Sequence, residues 1–288
     1  MQIGVVFPQT EIGPDPGAVR AYAEAAVSFG YRHLLTYEHV LGADPRVHQD
    51  WSGVYDLSSN FHEPMVLFGW LAAFSPLELV TGILIAPQRP TVLVAKQAAE
   101  VDVLSSGGLR LGVGIGWNAV EYEALGQPFS ERGRRLEEQI PLLRRLWTEE
   151  SVTFHGEFDT VNGAGLAPLP VQRPIPIWIG AAAPPALARA GRLADGWFPM
   201  AVPGAALDAA SAVVHEAARA TGRDPASLGM EGRVEWSTGD LDKIGHHAEK
   251  WRAAGATHLS ANTMGAGCET VDDHIAALES MAPVLGAD

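Results

Sequence analysis

Cysteine is almost absent from this sequence, since Cys268 is the only one among 288 residues. One cysteine cannot form a disulfide within the chain, and it supplies too few thiolates for a structural zinc site. The histidines are scattered, and no H-x-H or H-x-x-x-H pair coincides with the end of a predicted strand. We therefore expect no metal site and a reducing, cytoplasmic compartment.

Positive charge and long apolar runs are also scarce. The chain has 20 basic against 34 acidic residues, a formal net charge of -14, which repels nucleic-acid phosphates and anionic lipids. The most apolar stretch, Met65 to Phe74, is far shorter than the roughly 20 residues of a membrane span. The opening Gln2 to Phe7 lacks the features of a signal peptide. We expect no nucleic-acid partner, no membrane insertion and no export.

What the sequence has in abundance is a regular alternation of short apolar strands and amphipathic helices. Eight such units fit the length of a (β/α)8 TIM barrel, an α/β fold. A doubly wound sheet is the alternative, but eight alternations without a second composition regime favour the barrel. The predicted strands are Gln2–Phe7, His33–Tyr37, Leu79–Ile85, a glycine-rich strand from Leu109, Ile175–Gly180, Gly196–Phe198, Met230–Glu235 and His258–Ala261.

The alternation breaks once, between Trp147 and Pro174. Two short strand patterns flank His155-Gly156-Glu157 there, which predicts a small hairpin followed by a proline-rich connector. We interpret residues 148–174 as a segment inserted after the fourth helix. The whole chain, residues 1–288, is then a single barrel domain.

The stretch from Leu111 to Trp117 carries glycines at the alternate positions 112, 114 and 116. This spacing removes side chains from one face at a strand end, where a flat or anionic ligand can lie against the backbone. The G-x-G-x-x-G spacing of a dinucleotide-binding turn is not present, and the stretch lies more than a third of the way along the chain. We interpret it as the floor of a cofactor site. The alternative is that the glycines only allow tight packing between strand and helix.

In a barrel of this kind the active site gathers at the carboxyl ends of the strands. Of the residues at those ends, His39 is the one evident proton carrier. The turn Gly180-Ala181-Ala182 precedes a helix and is a candidate phosphate site, with an empty strand-to-helix turn as the alternative. The long loop after the second strand, with Trp51 and Tyr55, suits a lid or substrate wall. Because no nucleophile elbow is present, a redox cofactor would have to supply the chemistry.

Several of these motifs together resemble the luciferase-like monooxygenase family. They are Leu111 to Trp117 with Glu121 and Gly126, the helix Arg132 to Trp147, Pro176 to Gly180, and Ala194 to Trp197. The similarity extends from Gly4 to at least Pro199. Within the family the chain most resembles actinobacterial oxidoreductases that depend on coenzyme F420, a deazaflavin.

The resemblance implies a TIM-like barrel with a flavin or deazaflavin across the strand ends. It also implies a cis non-proline peptide in the third strand, near Ile83-Leu84. The cofactor-binding residues expected are His39, Leu84, Ile85, Gly114, Gly116, Trp117, Gly180, Ala181 and Ala182. Trp51, Tyr55 and Trp197 are the expected substrate-binding walls, with ordinary core packing as the alternative role of the tryptophans.

The function implied is hydride transfer between coenzyme F420 and a small organic substrate, with His39 as the catalytic residue that handles the proton. The alternative is a two-component monooxygenase that uses FMNH2 and oxygen. From a different class, the barrel would bind a ligand without turnover. A homodimer is expected from the family, and a flavin or F420 reductase as the supplier of reduced cofactor. One position departs from the family's dehydrogenases, because Ile115 stands where they carry a glutamate, and Glu38 and Glu121 are the possible substitutes.

Overall fold

The computed structural model describes residues 1–236 and 239–287, and its centre is a closed parallel β-barrel. Within these residues, eight strands surround the barrel axis in the order β1-β10-β9-β8-β7-β4-β3-β2. The expected (β/α)8 barrel is therefore confirmed. Its strands are β1 (Gln2–Val6), β2 (His33–Thr36), β3 (Glu78–Thr81), β4 (Leu109–Val113), β7 (Ile177–Ala181), β8 (Gly196–Pro199), β9 (Gly229–Glu235) and β10 (His258–Asn262).

Helices follow the strands and cover the outside of the barrel. They begin where the sequence supplies an N-cap or an early proline: Asp15 caps α1 through the amide of Gly17 and precedes Pro16, and Thr270 forms a capping box with Asp273 at α9. Among the described residues, no helix combines the length and apolarity that crossing a membrane requires. The helices are α1 (Pro16–Ser28), α2 (Pro64–Leu71), α3 (Thr91–Leu104), α4 (Ala119–Ala124), α5 (Arg132–Thr148), α6 (Pro184–Leu193), α7 (Ala205–Ala220), α8 (Leu241–Ala253) and α9 (Val271–Leu285).

Strand β3 is shorter than the sequence predicts. It ends at Thr81, whose hydroxyl donates to the carbonyl of Gly112 at 2.6 Å, rather than at Ile85. The next peptide bond but one, Gly82–Ile83, is cis, one position before the expected Ile83-Leu84. The chain then rejoins the barrel through a single bridge between Leu84 and Val113. The prediction that the strand continues to Ile85 is wrong, because Leu84 and Ile85 are buried without continuous strand pairing.

The interruption of the alternation is a two-stranded antiparallel hairpin, β5 (Val152–His155) and β6 (Thr160–Ala164). Its turn is held by the carboxylate of Glu138 on α5, which accepts hydrogen bonds from the amides of Glu157, Phe158 and Asp159 at 2.6 to 2.9 Å. The hairpin follows α5, the long helix after which the insertion was expected, which is the fifth helix of the structure because the short helix α4 precedes it.

The inside of the barrel contains a buried ionic cluster near the amino ends of the strands. Arg110 of β4 pairs with Glu231 of β9 and, at 3.0 Å, with Glu78 of β3. Glu231 also accepts from His33 at 3.0 Å and from Ser260 at 2.5 Å. Burial raises the pKa of Glu231, but Arg110 and His33 outweigh it and hold that pKa far below its usual range. Each buried charged group of this cluster therefore has a partner of opposite charge or a hydrogen bond inside the barrel.

Candidate active site

The catalytic candidate His39 lies just beyond the end of β2 and pairs with Glu121. Its Nδ1 is 3.3 Å from Oε2 of Glu121, a residue 82 positions further along the chain. Glu121 is on the first turn of α4, which begins there because the side chain of Asn118 caps the amides of Val120 and Glu121. The turn after the glycine-rich strand thus brings a carboxylate to the proton carrier.

Three further donors hold the carboxylate of Glu121. These are the amides of Val40 and Leu41 and, at 3.1 Å, the side-chain nitrogen of Gln88. Burial raises the pKa of Glu121, but the hydrogen bonds from His39, Gln88 and the two amides outweigh burial, so the pKa is lowered. An ionised Glu121 accepts a hydrogen bond from Nδ1–H of His39, which leaves Nε2 as the atom available for proton exchange.

Glu38, the other acidic candidate, faces a different set of partners. It accepts a hydrogen bond from the amide of Ile85 at 2.5 Å and forms an ion pair with Arg89. Arg89 forms a second ion pair with Glu63 at 3.1 Å. Burial raises the pKa of Glu38, although the charge of Arg89 opposes the shift. Glu38 therefore ties the end of β2 to the turn after β3 and to α2. Of the two possible substitutes for an acid at Ile115, Glu121 is the one that contacts His39.

Aromatic rings surround the imidazole of His39. Phe61, Trp117 and Tyr55 place their ring centroids 4.9, 5.3 and 5.5 Å from it. Trp51 packs on Trp117 at 5.5 Å, and its indole nitrogen donates to the carbonyl of Tyr55. Three of these four rings come from the β2–α2 loop (residues 37–63), so the loop expected to act as a lid does cover His39.

A cavity of about 380 Å³, here called the rim cavity, lies between the β2–α2 loop and the barrel rim. His39, Tyr55, Phe61 and Asn118 line it. The side chain of His39 is only 9% exposed. The proton carrier thus stands in a largely enclosed space, where water has little access.

A second cavity of about 480 Å³, here called the mouth cavity, lies over the carboxyl ends of the strands. This volume is in the range of small-molecule sites in proteins. Leu35, Ile83 and Phe198 form apolar parts of its wall, and the backbone of Gly82 and Gly180 is exposed to it. Its polar lining includes Tyr37, Arg233 and Glu235.

The glycines at and just after the end of β4 do not form the floor of either cavity. A Cβ on Gly114 would lie 2.6 Å from the side chain of Ile83, and one on Gly116 would lie 2.9 Å from that of Ile85. The chain after β3 therefore fills the space that these glycines leave. The physical reason is the early end of β3, which turns Ile83 and Ile85 toward β4. Leu84 and Ile85, two of the expected cofactor contacts, are buried side chains.

The remaining predicted residues have mixed placements. Gly180 borders the mouth cavity, whereas Ala181 is buried as the last residue of β7 and Ala182 is exposed. Trp197 is 2% exposed and packs in the hydrophobic core, so the aromatic wall on β8 is the next residue, Phe198. Alternation along a strand explains the shift, because adjacent side chains point to opposite faces.

The mouth cavity fits the polycyclic ring of a flavin or deazaflavin. A Cβ at Gly180 would be 3.0 Å from the side chain of Ile83, so the glycine backbone and Ile83 together form a wall of backbone and aliphatic carbon. Such a surface is complementary to a planar ring. In the described part of the chain, no group of three or more His, Cys, Asp or Glu side chains is placed to hold a metal ion.

The fold and this site define a TIM-barrel protein with a covered proton carrier at the strand ends. A sequence profile described as luciferase-like monooxygenase matches residues 1–271. The chain belongs to that family.

Two relatives and one solved structure give the range of chemistry in the family. The F420-dependent hydroxymycolic acid dehydrogenase of Mycobacterium tuberculosis is 30% identical over 266 residues, 88% of this chain and 68% of the relative. The FMNH(2)-dependent dimethylsulfone monooxygenase of Pseudomonas putida is 37% identical over 146 residues, 49% and 40% of the two chains. The structure of an F420-dependent secondary alcohol dehydrogenase in complex with an F420-acetone adduct superposes with a TM-score of 0.81 at 18% identity, covering 99% and 98%.

Similarity to other curated relatives is more local. The chain spans about half the length of mycobacterial relatives that it matches at 42% identity, 48% of each chain. The structural likeness at 18% identity shows the fold alone.

Proposed function

We propose that this protein is an oxidoreductase that passes a hydride between coenzyme F420 and a small organic substrate, with His39 as the catalytic residue. The observation that carries the proposal is the pair formed by His39 and the buried Glu121. A proton must be gained or lost when a carbonyl or similar group exchanges a hydride. An imidazole whose Nδ1 is fixed by a carboxylate can hold or release that proton at Nε2.

The residues of this chain divide the work between binding and proton handling. The mouth cavity would hold the ring next to Gly82, Ile83 and Gly180, and the substrate would lie toward the rim cavity, which Tyr55 lines and where Trp51 packs on Trp117. When bound, coenzyme F420 supplies or accepts the hydride. Glu121 orients His39, and the aromatic rings of the β2–α2 loop exclude water from it.

The second candidate is an FMN-dependent monooxygenase that uses FMNH2 and oxygen. It is supported by the similarity to the FMNH(2)-dependent relative over 146 residues. It has a weaker basis in the site, because a carboxylate that orients a histidine assists proton transfer and does not point specifically to an oxygen reaction. In this case a separate reductase would supply the reduced flavin.

Titration of the purified protein with coenzyme F420 and with FMN, followed by tryptophan fluorescence, tests the choice. Trp51 and Trp117 stand beside His39 and should report binding. We expect coenzyme F420 to bind in the micromolar range and FMN much more weakly. The reverse preference, with oxygen consumption in the presence of reduced FMN, favours the monooxygenase. Binding of neither cofactor would contradict both and favour a barrel without turnover.

We also infer a homodimer of single-domain subunits inside the cell. Large apolar side chains are exposed on the adjacent helices α2 and α3, namely Val66, Trp70, Val92 and Leu93. An exposed apolar patch of this kind supports an interface with another copy of the chain. Light scattering coupled to gel filtration measures the mass in solution, and a monomer would contradict the inference.

A further inference from the structure

One wall of the mouth cavity is basic, although the chain as a whole is strongly acidic. Lys243, His247 and Lys250 of α8 all line the cavity, and Arg233 of β9 lines it too. The three helix residues follow one another at spacings of four and three, so they lie on one face of α8. This set of four residues is called here the basic wall.

The lysines of the basic wall are unusual in this sequence. The chain has only three lysines and a formal net charge of -14. Lys96, the third, lies 3.7 Å from Glu100 and donates to the carbonyl of Ala167. Within residues 1–236 and 239–287, Lys243 and Lys250 form no ion pair or side-chain hydrogen bond. Lys243 and Lys250, two of the three lysines, therefore line one cavity without an acidic partner among the described residues.

The two carboxylates that line the mouth cavity, and the one that caps α8, have partners other than the lysine ammonium groups. Glu235 accepts from Arg233 at 2.6 Å, and Glu231 belongs to the buried cluster with Arg110. Asp240 uses its carboxylate to cap α8 at the amide of Lys243. Because these acids already have partners, the ammonium groups of Lys243 and Lys250 leave an excess of positive charge at the cavity.

Arg233 connects this charge to the proposed reaction site. It donates to the hydroxyl of Tyr37 at 2.8 Å, and Tyr37 is two residues before His39. Burial raises the pKa of Tyr55, which contacts the ring of His39, and the nearby charge of Arg233 opposes that shift. The basic wall is thus joined through Arg233 and Tyr37 to the end of β2 that carries His39.

We propose that the basic wall binds an anionic group, a phosphate or a carboxylate, of the ligand in the mouth cavity. The inference rests on the proposed function in that the anionic group belongs either to the cofactor's tail or to the substrate. Ammonium groups on flexible stems suit both, since they act as point charges that adapt to the position of the anion.

The test removes the two charges and keeps the side-chain length. The variant Lys243→Gln/Lys250→Gln is compared with wild type and with the control Lys96→Gln, which removes a lysine away from the cavity. Calorimetry measures the dissociation constants of FMN, of riboflavin and of inorganic phosphate, the last with and without saturating coenzyme F420. The thermal midpoint of each variant confirms that it is folded.

Two results would support the proposal and assign the source of the anion. If the basic wall holds the cofactor's tail, the double variant binds FMN at least about tenfold more weakly and riboflavin unchanged, since one charged hydrogen bond contributes about a factor of ten. If it holds the substrate, cofactor affinity is unchanged. Inorganic phosphate then binds the wild type loaded with coenzyme F420 at least about tenfold more tightly than it binds the double variant.

The proposal is overturned if the double variant and Lys96→Gln have equal affinities for FMN and for phosphate, or if wild type binds no phosphate and does not distinguish FMN from riboflavin. The proposed function fails separately, when wild type binds neither coenzyme F420 nor any flavin. Phosphate binding to the cofactor-free protein still reports on the basic wall in that case.

Discussion

The side chain of Ile83 occupies the space above Gly114, so that a Cβ on the glycine would lie 2.6 Å from its Cδ1. Ile83 also borders the mouth cavity and approaches Gly180 on its other side. One isoleucine is thus packed between two barrel strands and the proposed ring site, and its position depends on the absence of a side chain at Gly114.

We expect Gly114→Ala to destabilise the protein by about 1 to 3 kcal/mol, because the added methyl group forces Ile83 to move in a packed interior. Displaced Ile83 should also weaken cofactor binding. Urea unfolding measures the first effect and fluorescence titration the second. The control is Gly69→Ala on α2, where a Cβ meets nothing within 4 Å and alanine favours the helix. Equal stabilities of the two variants would show that Ile83 is not held in place by this contact.

The second prediction concerns the pair of His39 and Glu121. We expect His39→Ala to keep cofactor binding and to lower turnover by about 10²-fold or more, since general acid–base catalysis contributes at least that much. Glu121→Gln should lower turnover by less, because the carboxylate acts through the imidazole. Adding Glu121→Gln to His39→Ala should then cost almost nothing more.

Steady-state kinetics of the two single variants and the double variant measure this coupling. Glu123→Gln, which changes an exposed glutamate on the same helix, is the matched control. Additive losses in the double variant would mean that Glu121 acts independently of His39. A shift of the pH profile in Glu121→Gln is expected in addition, because a purely structural role would not move it.

The third prediction concerns the pH dependence of stability, through His258 on β10. An unfolded histidine has a pKa of about 6.5, whereas burial and then the charge of Arg110 lower the pKa of His258 to about 3. Between these values the unfolded chain binds a proton that the folded chain does not. The free energy of unfolding should therefore fall as the pH decreases from about 6.5 toward 3, with no contribution from His258 above that window.

Urea unfolding at pH 7.5 and at pH 4.5 measures this contribution as a difference between variants. His258→Gln should lose less stability between the two pH values than wild type does. His246→Gln, at an exposed histidine on α8, should behave as wild type. The same pH dependence in wild type and His258→Gln would contradict the assignment.

The fourth prediction concerns the hairpin β5–β6. Glu138→Ala removes the carboxylate that accepts hydrogen bonds from three successive amides in the hairpin turn. Those amides should exchange hydrogen faster, while the barrel strands keep their protection. Hydrogen exchange with mass spectrometry measures both regions, and Glu137→Ala on the same helix is the control because Glu137 pairs with Arg189 and Arg192 instead. Unchanged exchange in the turn would show that other contacts hold it.

The alternation of strands and helices was sufficient to predict the barrel, because each element has a local signal. Strand β2 was predicted over His33–Tyr37 and is observed over His33–Thr36, since its apolar run is a local feature. The end of β3 was not predictable in the same way. After Thr81 continuous strand pairing stops, although Leu84 and Ile85 are still buried. The sequence stays apolar to Ile85 whether or not the strand continues, and only hydrogen bonding to β4 shows where the strand ends.

The site was predictable in its residue types more than in its contacts. His39 was identified by its position at a strand end, but its partner could not be chosen between Glu38 and Glu121, because that depends on how α4 packs against the end of β2. A local cue existed in Asn118, which caps the turn that carries Glu121. Trp197 and Phe198 were not distinguished, since the phase of β8 relative to the barrel axis decides which one faces the cavity.

The carboxylate of Glu121 accepts hydrogen bonds from the imidazole of His39 and from the amides of Val40 and Leu41. These two residues are near the start of the loop that covers His39. If the start of this loop moved away, the hydrogen bonds from its two amides to Glu121 would break, and Glu121 is the residue that orients His39. One side chain, Glu121, therefore serves both the covering loop and the orientation of the imidazole, so a substitution there should disturb the two together.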